Sequence, residues 1–314
     1  MKKILTIMIL TYFILEAKTV SRTQVIMSTF ITISVEEKDK HLVEHGFKIM
    51  KDIEASISSY KKSAVIYRLN QDKKVKLDSY SYQALKQSKE LYKKSDGYFD
   101  ITIGSITKDL YHFGEQGRVP SKQKLLDAKI NIRGVHFSKD EAFLDENIKL
   151  DLGGMGKGFA VDKVAAYFRA NNIEAQISAS GDIRCLDTCL IDVQNPFSDG
   201  KLLSFKTSKK NLGITTSGNY NRYVKSTKNN HLINPKLKSS QTKFVSITLV
   251  GSMSSSFLDA YATASSVMPL KKAYEFLDSQ ELAYIVLQSD GDMRISSNID
   301  EYTNSLVIND TVKK

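Results

Sequence analysis

Leu150-Asp151-Leu152-Gly153-Gly154-Met155-Gly156-Lys157-Gly158-Phe159 is the stretch on which the fold turns. Leu150 to Leu152 reads as the end of a strand, the glycines as a turn, and residues 157–170 as a helix. Val161, Val164, Ala165 and Phe168 give that helix one apolar face to pack, while its free N–H groups point back at the turn. Four glycines within six residues permit positive φ and the close approach of a backbone or ligand, and Lys157 adds a cation. The stretch is a candidate phosphate cradle, but it fits neither familiar nucleotide motif. A P-loop needs Ser or Thr after the lysine and a glycine where Asp151 stands, and the dinucleotide fingerprint needs a glycine where Phe159 stands.

Composition narrows the class. With 314 residues, 41% of them hydrophobic, the chain can bury a sizeable core. Its 45 basic side chains exceed its 35 acidic ones mostly through scattered lysines such as Lys61-Lys62, Lys93-Lys94 and Lys209-Lys210. Zinc-finger spacing, an RNA-binding aromatic signature and a dense basic block are all missing, which argues against nucleic acid. A phosphorylated small molecule suits a pI near 9.2 equally well.

At the N-terminus, Lys2 and Lys3 precede an apolar run over residues 4–15, and Ala17 offers a small residue for cleavage. This is the layout of a secretory signal over residues 1–17, so the expected location is exported and periplasmic. An uncleaved anchor, which would be the chain's sole membrane contact, is the alternative reading, although the run is short for a spanning helix. Residues 18–314 then form the working domain. Cys185 and Cys189 are the only cysteines; in an oxidising compartment their spacing suits a local disulfide across a strand turn better than a zinc site.

Along the chain, near-alternate β-branched residues predict one strand over 24–35, followed by a helix over 38–58 and another over 79–94. Residues 97–104 are short and apolar with the Asp100 carboxylate inside them, for which a strand end with a solvated aspartate is the purely structural alternative; residues 121–128 read as a helix, with a strand pair before Leu150. Strands follow at 175–178, 183–185 and 190–193, then a small-residue turn at 213–220 and a strand through Val245, Ile247 and Leu249. A helix over 257–268 places Asp259 and Thr263 one turn apart on one face, a carboxylate beside a hydroxyl, as a hard cation requires. Asp259 near a helix start can equally serve the dipole alone. A helix over 269–277 and strands at 282–287 and 293–296 complete an α+β pattern.

Taken in order, several pieces resemble the ApbE family, the FAD:protein FMN transferases. They are Met27-Ser28-Thr29, residues 63–70, residues 97–104, the opening stretch, Ser180-Gly181-Asp182, residues 216–220, residues 231–235 and Asp259-Ala260-Tyr261-Ala262-Thr263. The resemblance implies an α+β fold of mixed sheets and helices in two interlocked lobes, with FAD between them. It also implies magnesium-assisted cleavage of the FAD pyrophosphate, transfer of FMN to a Ser or Thr hydroxyl of a partner flavoprotein, and release of AMP.

By position, the metal would be held by Asp259, Thr263 and the backbone carbonyl of Gly156. His231 would be the general base and Lys157 would support the phosphate or a carboxylate. Met27, Ser28, Thr29, Tyr60, Phe99, Asp100, Ser217 and Gly218 would line the flavin and adenine pockets. The chain departs from the family at Asn234-Pro235-Lys236-Leu237-Lys238, where Asp-Pro and then Thr-Gly are usual, and at Ser28, Ser105 and Gly156. Two other readings use nearly the same residues: an FAD pyrophosphatase, in which water replaces the protein hydroxyl, and a non-catalytic exported flavin carrier.

Overall fold

The structure, a computed structural model, describes residues 18–309. In chain order the first half comprises β1 (Thr19–Ile26), β2 (Thr29–Glu36), α1 (Val43–Ile57), α2 (Val65–Asp72), β3 (Lys74–Lys76), α3 (Ser79–Lys94), α4 (Gly104–Thr107), α5 (Lys122–Asp127), β4 (Val135–Phe137), β5 (Glu141–Leu144) and α6 (Gly156–Ala170). There follow β6 (Ala175–Ala179), β7 (Asp182–Cys185), β8 (Leu190–Gln194), β9 (Lys201–Thr207), β10 (Leu212–Gly218), β11 (Tyr223–Val224), β12 (Ser226–Asn230), β13 (Ile233–Asn234) and β14 (Ser239–Ser240). The chain continues through β15 (Phe244–Gly251), α7 (Ser255–Val267), α8 (Leu270–Asp278), β16 (Leu282–Gln288), β17 (Met293–Ile295) and β18 (Thr303–Ile308).

The frame is an antiparallel sheet of eight strands in the order β1-β2-β6-β7-β10-β15-β16-β17. Every residue of β15 is buried, as expected of a central strand covered on both faces. On one face Ile31, Ile33, Ile177, Ile247 and Leu249 pack with Phe47 and Met50 of α1, Phe159 and Phe168 of α6, and Leu258 of α7. On the other, Ile214, Val250, Ile285 and Leu287 pack against Val193, Leu203 and Phe205 of the β18-β9-β8 sheet. A smaller cluster of Ile106, Tyr111, Phe113, Leu125, Val224 and Ile233 fastens the segment around α4 and α5 to the short hairpins near residue 230. The α+β class read from the sequence holds, and Cys185 is bonded to Cys189.

Several local expectations fail for identifiable reasons. The single strand expected over 24–35 is a hairpin, with Met27 at φ 55° and Ser28 at φ 59° forming its two-residue turn. Alternation persists on both sides of a turn that lacks the usual Asn-Gly chemistry, so the pattern conceals the break. The small-residue segment 213–220 is mostly strand β10. Its residues are small because a Cβ on Gly213 would stand 2.7 Å from Leu258 and 2.9 Å from Arg184. Leu150 to Leu152 lie outside any strand, and only Lys149 makes a lone bridge, to Ile103. The proposed signal over 1–17 lies outside the described residues. Among those described, no helix is long and apolar enough to cross a membrane.

Candidate functional site

The glycines after Asp151 serve closeness rather than handedness, because none of the four has a positive φ. A Cβ on Gly158 would sit 2.3 Å from the Ser255 carbonyl, and one on Gly154 would meet Thr263 at 3.0 Å. The first turn of α6 is thereby pressed against α7. Asp162 of α6 secures the contact, its carboxylate accepting from the Ser255 and Ser256 amides at 2.7 and 2.9 Å and so capping α7 from outside. One turn further along α7, Asp259 points back at α6.

Asp259 is buried, and its Oδ2 accepts from the Gly158 amide at 3.2 Å. The Lys157 ammonium stands 3.6 Å from this oxygen and 3.0 Å from Oδ2 of Asp182, the first residue of β7. Thr215 of β10 donates to the other oxygen of Asp182. Burial, then the neighbouring Asp182 charge, push the Asp259 carboxyl up to about 7 against the pull of Lys157 and the Gly158 amide. Burial alone would lower Lys157, but the two carboxylates outweigh it and hold the ammonium above its ordinary range.

Thr263 lies on the same helix face as Asp259, and its hydroxyl is 3.4 Å from the Gly154 carbonyl. The backbone oxygen facing Thr263 is therefore that of Gly154. Gly156 is instead the first residue of α6, where its carbonyl enters the helical ladder. Among the described residues no group of three or more His, Cys, Asp or Glu could hold a metal, so a cation here would rely on hydroxyl and carbonyl oxygens as well as carboxylate. Such a set fits magnesium: all its donors are oxygen, and two buried carboxylates share one ammonium, leaving a negative charge for a cation to balance.

A second cluster gathers at the other end of the same stretch. Asp151 Oδ2 accepts from the Thr107 hydroxyl at 2.7 Å, and Oδ1 accepts from the Gly153 amide at 3.0 Å. Burial would raise this carboxyl, but Lys108 and Arg222 outweigh it and hold it below the usual range. Lys108 lies over the Tyr60 ring, and Arg222 donates to the Tyr60 hydroxyl. Burial pushes Lys108 down to about 8 despite Asp151, and pushes the Tyr60 phenol well above its ordinary value.

His231 belongs to the second cluster, its ring edge-on to Phe113 with centroids 6.5 Å apart. Its Nδ1 is 3.1 Å from the Arg222 carbonyl, which can only accept, so Nδ1 carries the proton and Nε2 keeps its lone pair. Burial, then Arg222, push the imidazole down to about 4, so it is neutral at physiological pH.

The remaining expected residues divide. Met27 closes the β1–β2 turn, its amide donating to Glu54 at 2.8 Å, and its methyl lies 3.7 Å from where a Gly156 Cβ would project. Ser28 shares that turn and Thr29 begins β2 opposite Ile26. Phe99 is buried 3.3 Å from a Gly154 Cβ position. Ser217 lies on the same face of β10 as Thr215, with Gly218 ending the strand. Asp100 is buried rather than solvated, and one oxygen is committed to the Thr102 amide and hydroxyl at 2.8 and 2.7 Å. Asn234, where the family has aspartate, donates to the Val267 carbonyl at 2.6 Å and accepts from the Lys236 and Leu237 amides. Its NH₂ ties the loop to the end of α7, a bond an ionised aspartate could not donate.

Gly154, Asp182, Asp151, Lys108 and Arg222 escaped the sequence reading as site residues. Asp182 and Asp151 did lie inside resembling stretches, but Lys108 and Arg222 had no pattern to expose them.

The model of the ApbE family matches residues 27–286. A FAD:protein FMN transferase of Haemophilus influenzae is 27% identical over 270 residues, covering 77% of each chain. One from Buchnera aphidicola of Schizaphis graminum is 27% identical over 256 residues, 74% of each. Among solved structures, the ApbE protein of Thermotoga maritima superposes with a TM-score of 0.80 at 21% identity, covering 92% of this chain and all of that one. The flavin transferase ApbE of Vibrio cholerae gives 0.77 at 22% identity, covering 91% and 99%. These solved structures share the fold, and the family match over most of the chain settles membership: this protein belongs to the ApbE family.

Proposed function

We propose that this chain is a FAD:protein FMN transferase that uses magnesium to move FMN from FAD to a Ser or Thr hydroxyl of a partner flavoprotein, releasing AMP. The observation that carries this reading is the meeting of Asp259, Thr263 and the Gly154 carbonyl beside a Lys157 shared between two carboxylates. The names of the curated relatives support the same activity. When bound, magnesium would neutralise charge on the pyrophosphate. The protein's own part is orientation and proton handling.

The ion pairs that hold Lys157 to Asp182 and Asp259 at the start of α6 support a role for its ammonium in meeting phosphate oxygens. The acceptor oxygen attacks the FMN phosphorus in line, the bond to the bridging oxygen breaks, and AMP leaves with that oxygen. The hydroxyl proton passes to Nε2 of His231, which the Arg222 carbonyl keeps in the accepting tautomer. Met27, Phe99 and Ser217 border the flavin side. The N-terminal run over 1–17 supports export, which places the acceptor outside the cytoplasm.

The test incubates the mature chain with FAD, magnesium and a flavoprotein bearing a Ser/Thr site. An acceptor gaining one FMN in step with AMP supports the transferase. Free FMN and AMP with the acceptor unmodified would overturn it in favour of hydrolysis, and intact bound FAD would overturn it in favour of a carrier.

A further inference from the structure

Three segments leave the site and meet again on the surface beside it. Phe99 is preceded by Asp96, Gly97 and Tyr98; His231 leads through Asn234 into Lys236, Leu237 and Lys238; Thr263 leads through Val267 into α8, which opens with Leu270-Lys271-Lys272. The Asn234 side-chain amide donates to the Val267 carbonyl at 2.6 Å and so fastens the second segment to the third. Charge joins the first to both: Lys236 and Lys272 donate to the same oxygen of Asp96, at 3.0 and 2.6 Å. Both ammoniums also lie over the Tyr98 ring, 4.1 and 5.0 Å from its centroid.

One carboxylate thus serves two lysines, and the charge left over is positive. Exposed Lys271 stands 3.7 Å from Glu275, and Lys238 donates to the neutral carbonyls of Leu126 and Ala128. Four lysines therefore stand against two acids. Beside them in the chain, Leu237 is 67% exposed and Leu270 39%. Exposed ion pairs of this kind add little stability, so Asp96 is a partner that another carboxylate can replace. A protein hydroxyl reaches the site only if the surface around it covers the segments that border the site, and the chemistry those segments offer is positive charge next to apolar surface.

We infer that Lys236, Leu237, Leu270 and Lys272 form the docking surface for the acceptor flavoprotein, and that it takes an acidic segment with apolar residues beside the hydroxyl to be modified. This rests on a protein being the acceptor of FMN. An incoming carboxylate takes Lys236 and Lys272 from Asp96, while apolar side chains cover Leu237 and Leu270. Lys236-Leu237-Lys238 lies where the chain departs from its family, so this docking chemistry is its own.

The test uses two labelled peptides, each with one threonine among leucines, the first with aspartates beside it and the second with asparagines in their place. Fluorescence anisotropy reads binding, and mass reads FMN transfer from FAD with magnesium. The chains compared are the wild type, the double variant Lys236→Gln with Lys272→Gln, and Asp96→Asn, with melting curves as a control on folding. The wild type should bind the acidic peptide about tenfold more tightly than its twin, and the double variant should lose that preference through KM, with kcat and FAD affinity unchanged. Asp96→Asn should bind the acidic peptide about twofold more tightly, a gain that a merely structural role for Asp96 does not produce. Equal wild-type affinity for the two peptides, or weaker binding in Asp96→Asn, would overturn the inference. Lysine-dependent binding to vesicles of anionic phospholipid, without a peptide preference, would overturn it in favour of a membrane surface. Lysine-dependent peptide binding by a chain that transfers no FMN keeps the surface and overturns the transferase reading. Transfer to both peptides with equal KM does the reverse.

Discussion

The two charge clusters at either end of the glycine stretch are near mirror images. At Lys157 one ammonium is shared by the buried carboxylates Asp182 and Asp259; at Asp151 one buried carboxylate stands 3.8 Å from Lys108, and the charge of Arg222, on the same Tyr60 ring, also lowers it. The first is short of a cation and the second short of an anion. Under the proposed reaction a divalent cation would answer the first deficit.

The comparison breaks most sharply at Asp259. Asp259→Ala should cut magnesium-dependent AMP release about 10³-fold. Retained metal-dependent turnover would show that the carboxylate pair does not serve a cation. Next, His231→Ala should slow transfer about 10²-fold while FAD affinity stays level. Equal loss of binding and rate, read from single-turnover kinetics against equilibrium titration, would remove the histidine from the proton path.

The pH profile separates the two groups. Below about 7 the Asp259 carboxyl takes up a proton and competes with the metal, so the rate at low magnesium should fall as pH drops through that value. Raising magnesium should move this limb toward about 4, where His231 becomes protonated. A limb fixed near 6.5 at every magnesium concentration would contradict both assignments.

Smaller effects test the scaffold. Gly158→Ala forces a Cβ to within 2.3 Å of the Ser255 carbonyl, prying α6 from α7, and should cost about 3 kcal/mol in denaturant unfolding. Asp162→Ala removes the external cap of α7 and should cost about 1 kcal/mol, with a modest rise in the magnesium needed for half-maximal rate. If the Asp151 cluster responded to these changes as strongly as the Asp259 cluster, the two would not be separable units.

What the sequence disclosed follows from the range of the forces involved. Helix periodicity located α3, α6 and α7, and the i, i+4 spacing paired Asp259 with Thr263, because these are local signals. The hairpin at Met27 and Ser28 is hidden because its turn residues lack the usual composition, and β10 resembles a turn in sequence because close packing by Leu258 selects small residues. Gly154 was passed over for Gly156 because only packing against α7 decides which carbonyl meets Thr263. Lys108 and Arg222 are 114 positions apart. Nothing local brings them to one tyrosine ring; the small core of Ile106, Phe113 and Val224 does.

The most direct test of the paired-deficit account is the melting temperature with saturating FAD, with and without magnesium, at pH 8 and pH 6, for wild type and Asp259→Asn. Because the folded carboxyl is raised to about 7, the stability its proton contributes is present at low pH and is lost as pH rises through that value. The wild type should therefore gain stability from magnesium at pH 8, gain less at pH 6, and lose the gain altogether in Asp259→Asn. An undiminished magnesium gain in the variant, or no gain in the wild type at pH 8, would contradict the assignment of the cation to Asp259.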